Sequence, residues 1–389
     1  MKLAAVHDRV IAALERREPD RVPTMDMMFE YAKIYAILGK RPLPLGWLFM
    51  NKYASKALDR LAPGPLTPFF VEKSMDALTY DRTAAAVELG YDSAWVTYPP
   101  IWRYYDSKNM YDIGGKEYRN VFDGKGNLGT PMYTGGRIKS AEDWRNWPKK
   151  DLLRLPEKTH RFFSRLQKDF GEKIFIFHTF VDGVFGYTWG ALGFKEFAVA
   201  ARKERDFIER IVRFYTDLYC LMLEAVADAG VPGVIYPDDM AYRSGPMISP
   251  KQLESLYGES FRRITETAHG LGLKIVVHSC GNVCQLLEWF ADCGFDGVHA
   301  LEPTAGMDLA EVKRMVGDRL CLLGNMDVTH VLVDADRDEV FEAVRQSIAA
   351  AGPGGGYIIA PTNSHPDVSV ERLRWLVEAT ELYGKYPLS

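Results

Sequence analysis

The stretch KIVVHSCGNVCQLLEWFADCGFDGVHALEP, residues 274–303, decides how the rest of the chain is read. KIVVHSCG (274–281) is a short β-branched run, NVCQLLEWFADCG (282–294) has helical spacing, and GVHALEP (297–303) opens a second strand. Near-continuous apolar strands alternating with helices signal a parallel sheet buried on both faces. The run KIVVH also ends abruptly on His278, Ser279 and Cys280, so the segment raises chemistry as well as fold.

The same beat continues outward. Downstream, DLAEVKRMVG (308–317) follows GVHALEP, LCLLGNMD (320–327) precedes DEVFEAVRQSIAAAG (338–352), and GYIIAPTN (356–363) precedes SVERLRWLVEATELYG (369–384). Upstream, GVIYPDDM (233–240) precedes the helical PKQLESLYGESFRRITETAHGLG (250–272). VPTMDMMF (22–29), SAWVTYPP (93–100) and KIFIFHTFVDG (173–183) supply three earlier strands. Eight strands alternating with helices predict an α/β fold of the (β/α)8 TIM-barrel type, read as one domain over 1–389. MYDIGGKEYRNVFDGKGNLGTPMYTGGRI (110–138) breaks the beat with GG and DGKGN turn signals. It predicts an inserted β-hairpin or meander, at about 100–140, between strands 2 and 3. Residues 30–70, rich in proline and aromatics, predict a helical N-terminal excursion over the barrel mouth.

Composition narrows the function. A net charge of −4 gives no electrostatic reason to expect nucleic acid or an anionic membrane as the main partner, and no apolar stretch reaches spanning length. Charges at Asp8, Arg9, Glu15, Arg16 and Arg17 interrupt the N-terminus, which reads as an amphipathic helix rather than a secretory leader. The five cysteines are odd in number and scattered, without a disulfide framework. A cytoplasmic protein is expected.

Barrel active sites form where strands end. Those ends carry Asp26 and Glu30, His178 and Asp182, Asp238 and Asp239, His278 and Cys280, Glu302, Asn325 and Asp327, Asn363 and His365. Strand residues two apart share a face about 6.5–7 Å from each other, so His278 and Cys280 can converge on one metal ion. A nitrogen and sulfur pair favours zinc. The plainer reading is a small buried cysteine beside a hydrogen-bonded histidine. Asp238 and Asp239 alternate faces, so at most one enters the mouth; they suit a ligand or acid/base role, or equally a helix cap or an ion pair with Arg243. Pro303 holds Glu302 out of a helix and toward the pocket, as catalyst or as support for the histidine. Asn325 and Asp327 cap the next helix or hold its loop, and His178 hydrogen-bonds within the barrel. Cys220, Cys284 and Cys293 read as small buried hydrophobes, and Cys321 opens strand 7, far from the mouth.

With HSCGNV, LEPTAGMDL, DRLCLLGNMD and GYIIAPTNSHPDV in view, and DRVP and DDMAYRSGPMISP besides, the chain resembles the uroporphyrinogen decarboxylase superfamily. The resemblance implies the (β/α)8 barrel, a homodimer, and one of two chemistries: metal-free tetrapyrrole decarboxylation, or zinc-dependent methyl transfer with a corrinoid protein. The decarboxylases carry an arginine-rich RQAGRY-type stretch after strand 1 that clamps substrate carboxylates. Here TMDMMFEY replaces it, the wrong sign for a polyanion. The methyltransferase branch binds zinc through H-x-C and a later cysteine. No cysteine follows Cys321, and the matching loop APTNSHPDV offers His365 or, less aptly, Asn363.

The expected reading is therefore a corrinoid-linked methyltransferase with zinc on His278, Cys280 and His365. Asp239 or Glu302 serves as a further ligand or as acid/base. Tyr98, Tyr187, Trp189 and Tyr242 shape an apolar pocket for a small substrate or the cobalamin face, and Asp26, Asn325 and Asn363 contact the substrate. A thiol or a methoxylated compound is the small substrate. Two alternatives stand beside this: a metal-free lyase or decarboxylase using Asp239 and Tyr187, and a non-catalytic binder of corrinoid or another tetrapyrrole.

Overall fold

The structure, a computed structural model, describes residues 2–27, 31–40, 52–53, 56–57, 66–98, 102–105, 108–122 and 131–388. Glu30, the RPLPLGWLF stretch (41–49) and the DGKGN turn (123–127) lie outside the described residues.

The strands form where β-branched and aromatic residues run together. In chain order they are β1 (Ser93–Thr97), β2 (Trp102–Tyr105), β3 (Asn109–Asp112), β4 (Lys116–Arg119), β5 (Met132–Gly136), β6 (Phe175–Thr179), β7 (Gly233–Pro237), β8 (Ala241–Tyr242), β9 (Gly245–Pro246), β10 (Lys274–His278), β11 (Gly297–His299), β12 (Cys321–Met326) and β13 (Tyr357–Pro361). Seven of them make one parallel sheet, in the order β1-β6-β7-β10-β11-β12-β13. The sheet is curled. Segment 22–27 bridges its two edges: Thr24 pairs with Ile359 of β13 and Met25 with Ser93 of β1. The Ile359 N–H donates to Pro23 O at 2.9 Å, and the Ser93 N–H to Thr24 O at 2.9 Å. The expected first strand is thus present as two single pairings, and the arrangement is TIM-barrel-like.

Alternation along each strand sorts two cores. Met25, Met27, Trp95, Phe175, Phe177, Ile235, Val276, Leu323 and Ile358 pack inside the sheet. Helix Lys2–Leu14 adds Val10, Ala13 and Leu14 to that cluster, filling the end of the barrel where the strands begin. Residues of the opposite phase, such as Val96, Ile176, Val234, Ile275 and Val277, face the surrounding helices. The DRVP segment ties this lower end together. Arg9 and Arg21 both donate to the buried Asp92 carboxylate, at 2.5 and 2.7 Å, and Arg9 also reaches Asp20.

Between β1 and β6 the chain forms an antiparallel sheet in the order β2-β3-β4-β5. It is a meander, the shape expected for this region. Helix Tyr31–Leu38 lies against helix Leu66–Leu89, where Lys40 and Asp81 pair at 2.8 Å, and Lys33 Nζ donates to His365 O at 2.7 Å.

Candidate functional site

The inner phase of β10 passes through Val276 and arrives next at His278, so that imidazole turns into the mouth. Trp95 walls it from β1, with ring centroids 5.1 Å apart and the planes nearly perpendicular. Two residues on, Cys280 Sγ lies 3.6 Å from His278 Nε2. From the end of β7, Asp239 Oδ1 lies 3.8 Å from the same Nε2 and accepts the Cys280 N–H at 2.8 Å. Ligand atoms of Asp239, His278 and Cys280 all fall within 4.8 Å of one another.

Local backbone chemistry holds these groups. Gly281 has a φ of +83°, which an L side chain rarely adopts, and a Cβ there would lie 2.7 Å from Ala241 O and 2.8 Å from Tyr242 O. The loops after β7 and β10 therefore touch through backbone. The Asn282 N–H donates to Tyr242 O at 2.9 Å, and the Met240 N–H to Ser279 Oγ at 2.9 Å. Glu302, at the end of β11, accepts the Gly281 N–H at 3.2 Å. Asn363 Nδ2 approaches Cys280 Sγ at 3.7 Å from the loop after β13.

Electrostatics oppose a free thiolate at this group. Burial, then the charges of Asp239 and Glu302, push the Cys280 thiol well above its ordinary range. Reactive cysteines need the opposite, a thiolate favoured by cationic neighbours. Burial lowers His278 while Asp239 and Glu302 oppose it, leaving a neutral imidazole suited to ligation. Such a site is short of positive charge. Tetrahedral zinc with nitrogen at about 2.0–2.1 Å and sulfur at about 2.3 Å places those ligand atoms about 3.5 Å apart, close to the separation here. The donors present fit zinc.

His365 does not join the group. Its Nδ1 accepts the Asp367 N–H at 3.2 Å on an exposed loop, and the group that could hold a metal, among the described residues, is Asp239, His278 and Cys280. The aromatics divide. Tyr242 is exposed on the β8–β9 hairpin beside Gly281, whereas Tyr98 has the outward phase of β1 and stacks on Phe162 at 4.0 Å. Tyr187 is buried and stacked on Tyr215, and Lys116 Nζ lies 5.1 Å from its ring and 5.8 Å from that of Trp189. Asp26 likewise differs from its expected place. Met25 and Met27 point inward, so Asp26 turns out, where it accepts the Trp95 N–H at 2.6 Å and is influenced by Arg82. Asn325 donates to Leu301 O and, at 3.4 Å, to Met307 O, holding the loop that carries Glu302. His178 faces outward and bonds Tyr98 O at 2.9 Å.

Two groups went unremarked in the sequence. His299, last residue of β11, sits with its Nδ1 2.7 Å from His278 Nδ1 and its Nε2 3.1 Å from Pro361 O. It lies at a strand end like the other candidates, and that rule alone would have found it. Lys116, from β4, ion-pairs with Asp182 in a buried setting. Burial lowers its pKa to about 8, against the pull of Asp112, Asp238 and Asp239. Nothing in GGKEY announces that a lysine in a distant sheet will reach the barrel.

Residues 181–383, more than half of the chain, match the family described as uroporphyrinogen decarboxylase (URO-D). The chain belongs to the URO-D family. Within that family it is 27% identical over 190 residues to "Methylcobamide:CoM methyltransferase MtaA" of Methanosarcina barkeri, covering 49% of this chain and 53% of that one. It is 30% identical over 172 residues to a uroporphyrinogen decarboxylase of Pseudoalteromonas atlantica, covering 43% and 46%. The chain spans about half the length of these curated relatives. A solved methyltransferase from Methanosarcina mazei superposes with a TM-score of 0.71 at 19% identity, over 97% of this chain and 98% of that one. That likeness establishes the shared fold. Among the described residues no helix is long and apolar enough to cross a membrane.

Proposed function

We propose that this chain is a corrinoid-linked methyltransferase, passing a methyl group between a methylated cobamide on a partner protein and a small substrate such as a thiol. The observation that carries the reading is the Asp239–His278–Cys280 triangle, whose thiol is flanked by carboxylates and whose histidine is neutral. The names of the methyltransferase relatives support the substrate class, and the fit of the donor set to zinc supports the cofactor.

In this reading Asp239, His278 and Cys280 would hold zinc. Zinc there supplies a positive charge that lowers the pKa of a bound thiol. Glu302, beside Cys280, takes the thiol proton. Sulfur then bonds to the methyl carbon as the carbon–cobalt bond breaks, its electron pair remaining on cobalt. Asn363 steadies Cys280 through its amide, and Tyr242 offers an exposed ring at the rim for the cobamide face.

The test is metal content together with transfer from methylcobalamin to a thiol. About one zinc per chain is expected, and Cys280→Ser should lose both zinc and transfer while folding normally. Full transfer after complete removal of metal would end the reading. Carbon dioxide release by metal-free protein from a carboxylated tetrapyrrole would replace it with the lyase.

A further inference from the structure

The proposed site requires one property of His278. Its Nε2, the nitrogen facing Cys280 Sγ and Asp239 Oδ1, must carry a lone pair rather than a proton. A neutral imidazole has one N–H and one lone pair, and the hydrogen-bond partners decide which nitrogen has which.

The partners of His278 form a chain that ends on a group with no choice. The Pro361 carbonyl can only accept, so His299 Nε2, 3.1 Å away, is the donor. His299 is fully buried, and its two ring nitrogens meet the Pro361 carbonyl and the His278 ring, with no carboxylate among those partners to balance a second proton. A neutral His299 that donates from Nε2 carries its lone pair on Nδ1. That atom lies 2.7 Å from His278 Nδ1. Two lone pairs do not face each other at hydrogen-bond distance, so His278 Nδ1 is the donor there. The proton is thereby placed, and Nε2 keeps its lone pair. Trp95 packs against both rings, with centroids 5.1 and 5.4 Å away, and restricts their rotation.

We propose that His299 is a positioning residue that locks His278 in its Nδ1-protonated tautomer, using the Pro361 carbonyl as the fixed end of a two-imidazole relay. The relay runs across the mouth from β13 through β11 to β10, so a backbone oxygen on one strand sets the ligand atom of another. This inference deepens the methyl-transfer reading and rests on it for its purpose, though not for its geometry.

The tautomer is measured directly on metal-free wild-type protein by long-range nitrogen–proton NMR of the imidazoles, with the His278 signals assigned by their absence in His278→Gln. A protonated Nδ1 and bare Nε2 at His278 are expected; a protonated Nε2 overturns the proposal. Zinc affinity, read by competition with a chromophoric chelator, gives the second measurement. His299→Phe keeps the ring volume but leaves His278 Nδ1–H without an acceptor, and zinc binding should weaken about 10–100-fold. His299→Gln, whose amide can accept from His278 and donate to Pro361, should restore most of that loss. Unchanged zinc affinity in His299→Phe overturns the proposal, and if that variant does not fold the wild-type tautomer alone decides. Methyl transfer is scored separately: a wild-type protein with the expected tautomer and no transfer removes the functional reading and leaves the relay standing.

Discussion

Asp238 and Asp239 are consecutive in the chain and face opposite ways. Asp238 is buried beneath the mouth, where its carboxylate accepts the Phe185 and Gly186 N–H groups at 2.9 and 2.7 Å and the Tyr236 hydroxyl at 3.0 Å. It caps helix Val184–Leu192, and burial raises its pKa to about 7. Asp239 is exposed and belongs to the candidate metal triangle.

The two positions should therefore separate cleanly in mutants. Asp238→Ala strands buried donors and removes a cap, and should destabilise by about 2–4 kcal/mol in urea unfolding. Asp239→Ala should change stability by less than about 0.5 kcal/mol. It should instead weaken zinc binding by an order of magnitude or more, while His365→Ala leaves it unchanged. Comparable zinc loss in both would return His365 to the ligand set.

Lys116 is the cation of a buried pair with Asp182, and the buried Asp112 stands near it, its own pKa raised to about 6 by burial. Lys116→Met leaves those carboxylates without their partner. We expect a loss of about 3–5 kcal/mol, as for other broken buried pairs, with the double variant Lys116→Met/Asp182→Leu recovering part of it. Equilibrium unfolding of both variants checks this.

Asp26 predicts a pH dependence. Burial raises its pKa to about 7, against the pull of the Trp95 N–H and Arg82, whereas the unfolded chain titrates at about 3.9. The folded state thus holds this proton more tightly. The associated stability is fully present below about pH 4 and is lost as pH rises to about 7. Asp26→Asn does not titrate and keeps an oxygen for the Trp95 N–H. Its stability relative to wild type should rise across that window, by on the order of 4 kcal/mol, and level off above it. A difference independent of pH would refute the assignment.

Gly281→Ala places a methyl against two carbonyl oxygens at a positive φ. The loop must move, and Cys280 with it, so zinc affinity should fall even where the melting temperature changes little. Chelator competition beside a thermal melt distinguishes this from general unfolding.

The parallel strands were legible because burial on both faces leaves nearly unbroken apolar runs, and KIVVH and GYIIAP needed no further context. The phase of each strand was less legible. Tyr98 and Asp26 sit at strand ends, as read, yet each is one residue out of step with the inner face that Trp95 and Met25 define. His278 and Cys280 were readable as a pair because their spacing is local. Asp239 and His365 were both available as third partner, and it is the contact between the loops after β7 and β10 that brings Asp239 beside the pair. Lys116 was illegible for a stronger reason: its partner Asp182 is far away in sequence, brought near by the placement of the antiparallel sheet.

Helix Lys2–Leu14 packs Val10, Ala13 and Leu14 into the end of the barrel opposite the triangle. On the proposed reading, methyl donor and acceptor then meet at the mouth that carries the triangle, and one of them is a cofactor borne by a whole protein. Whichever reactant is docked by that protein covers the entrance when it arrives. The small substrate must be seated first and its product leave last, so steady-state kinetics should follow a compulsory order rather than a random one.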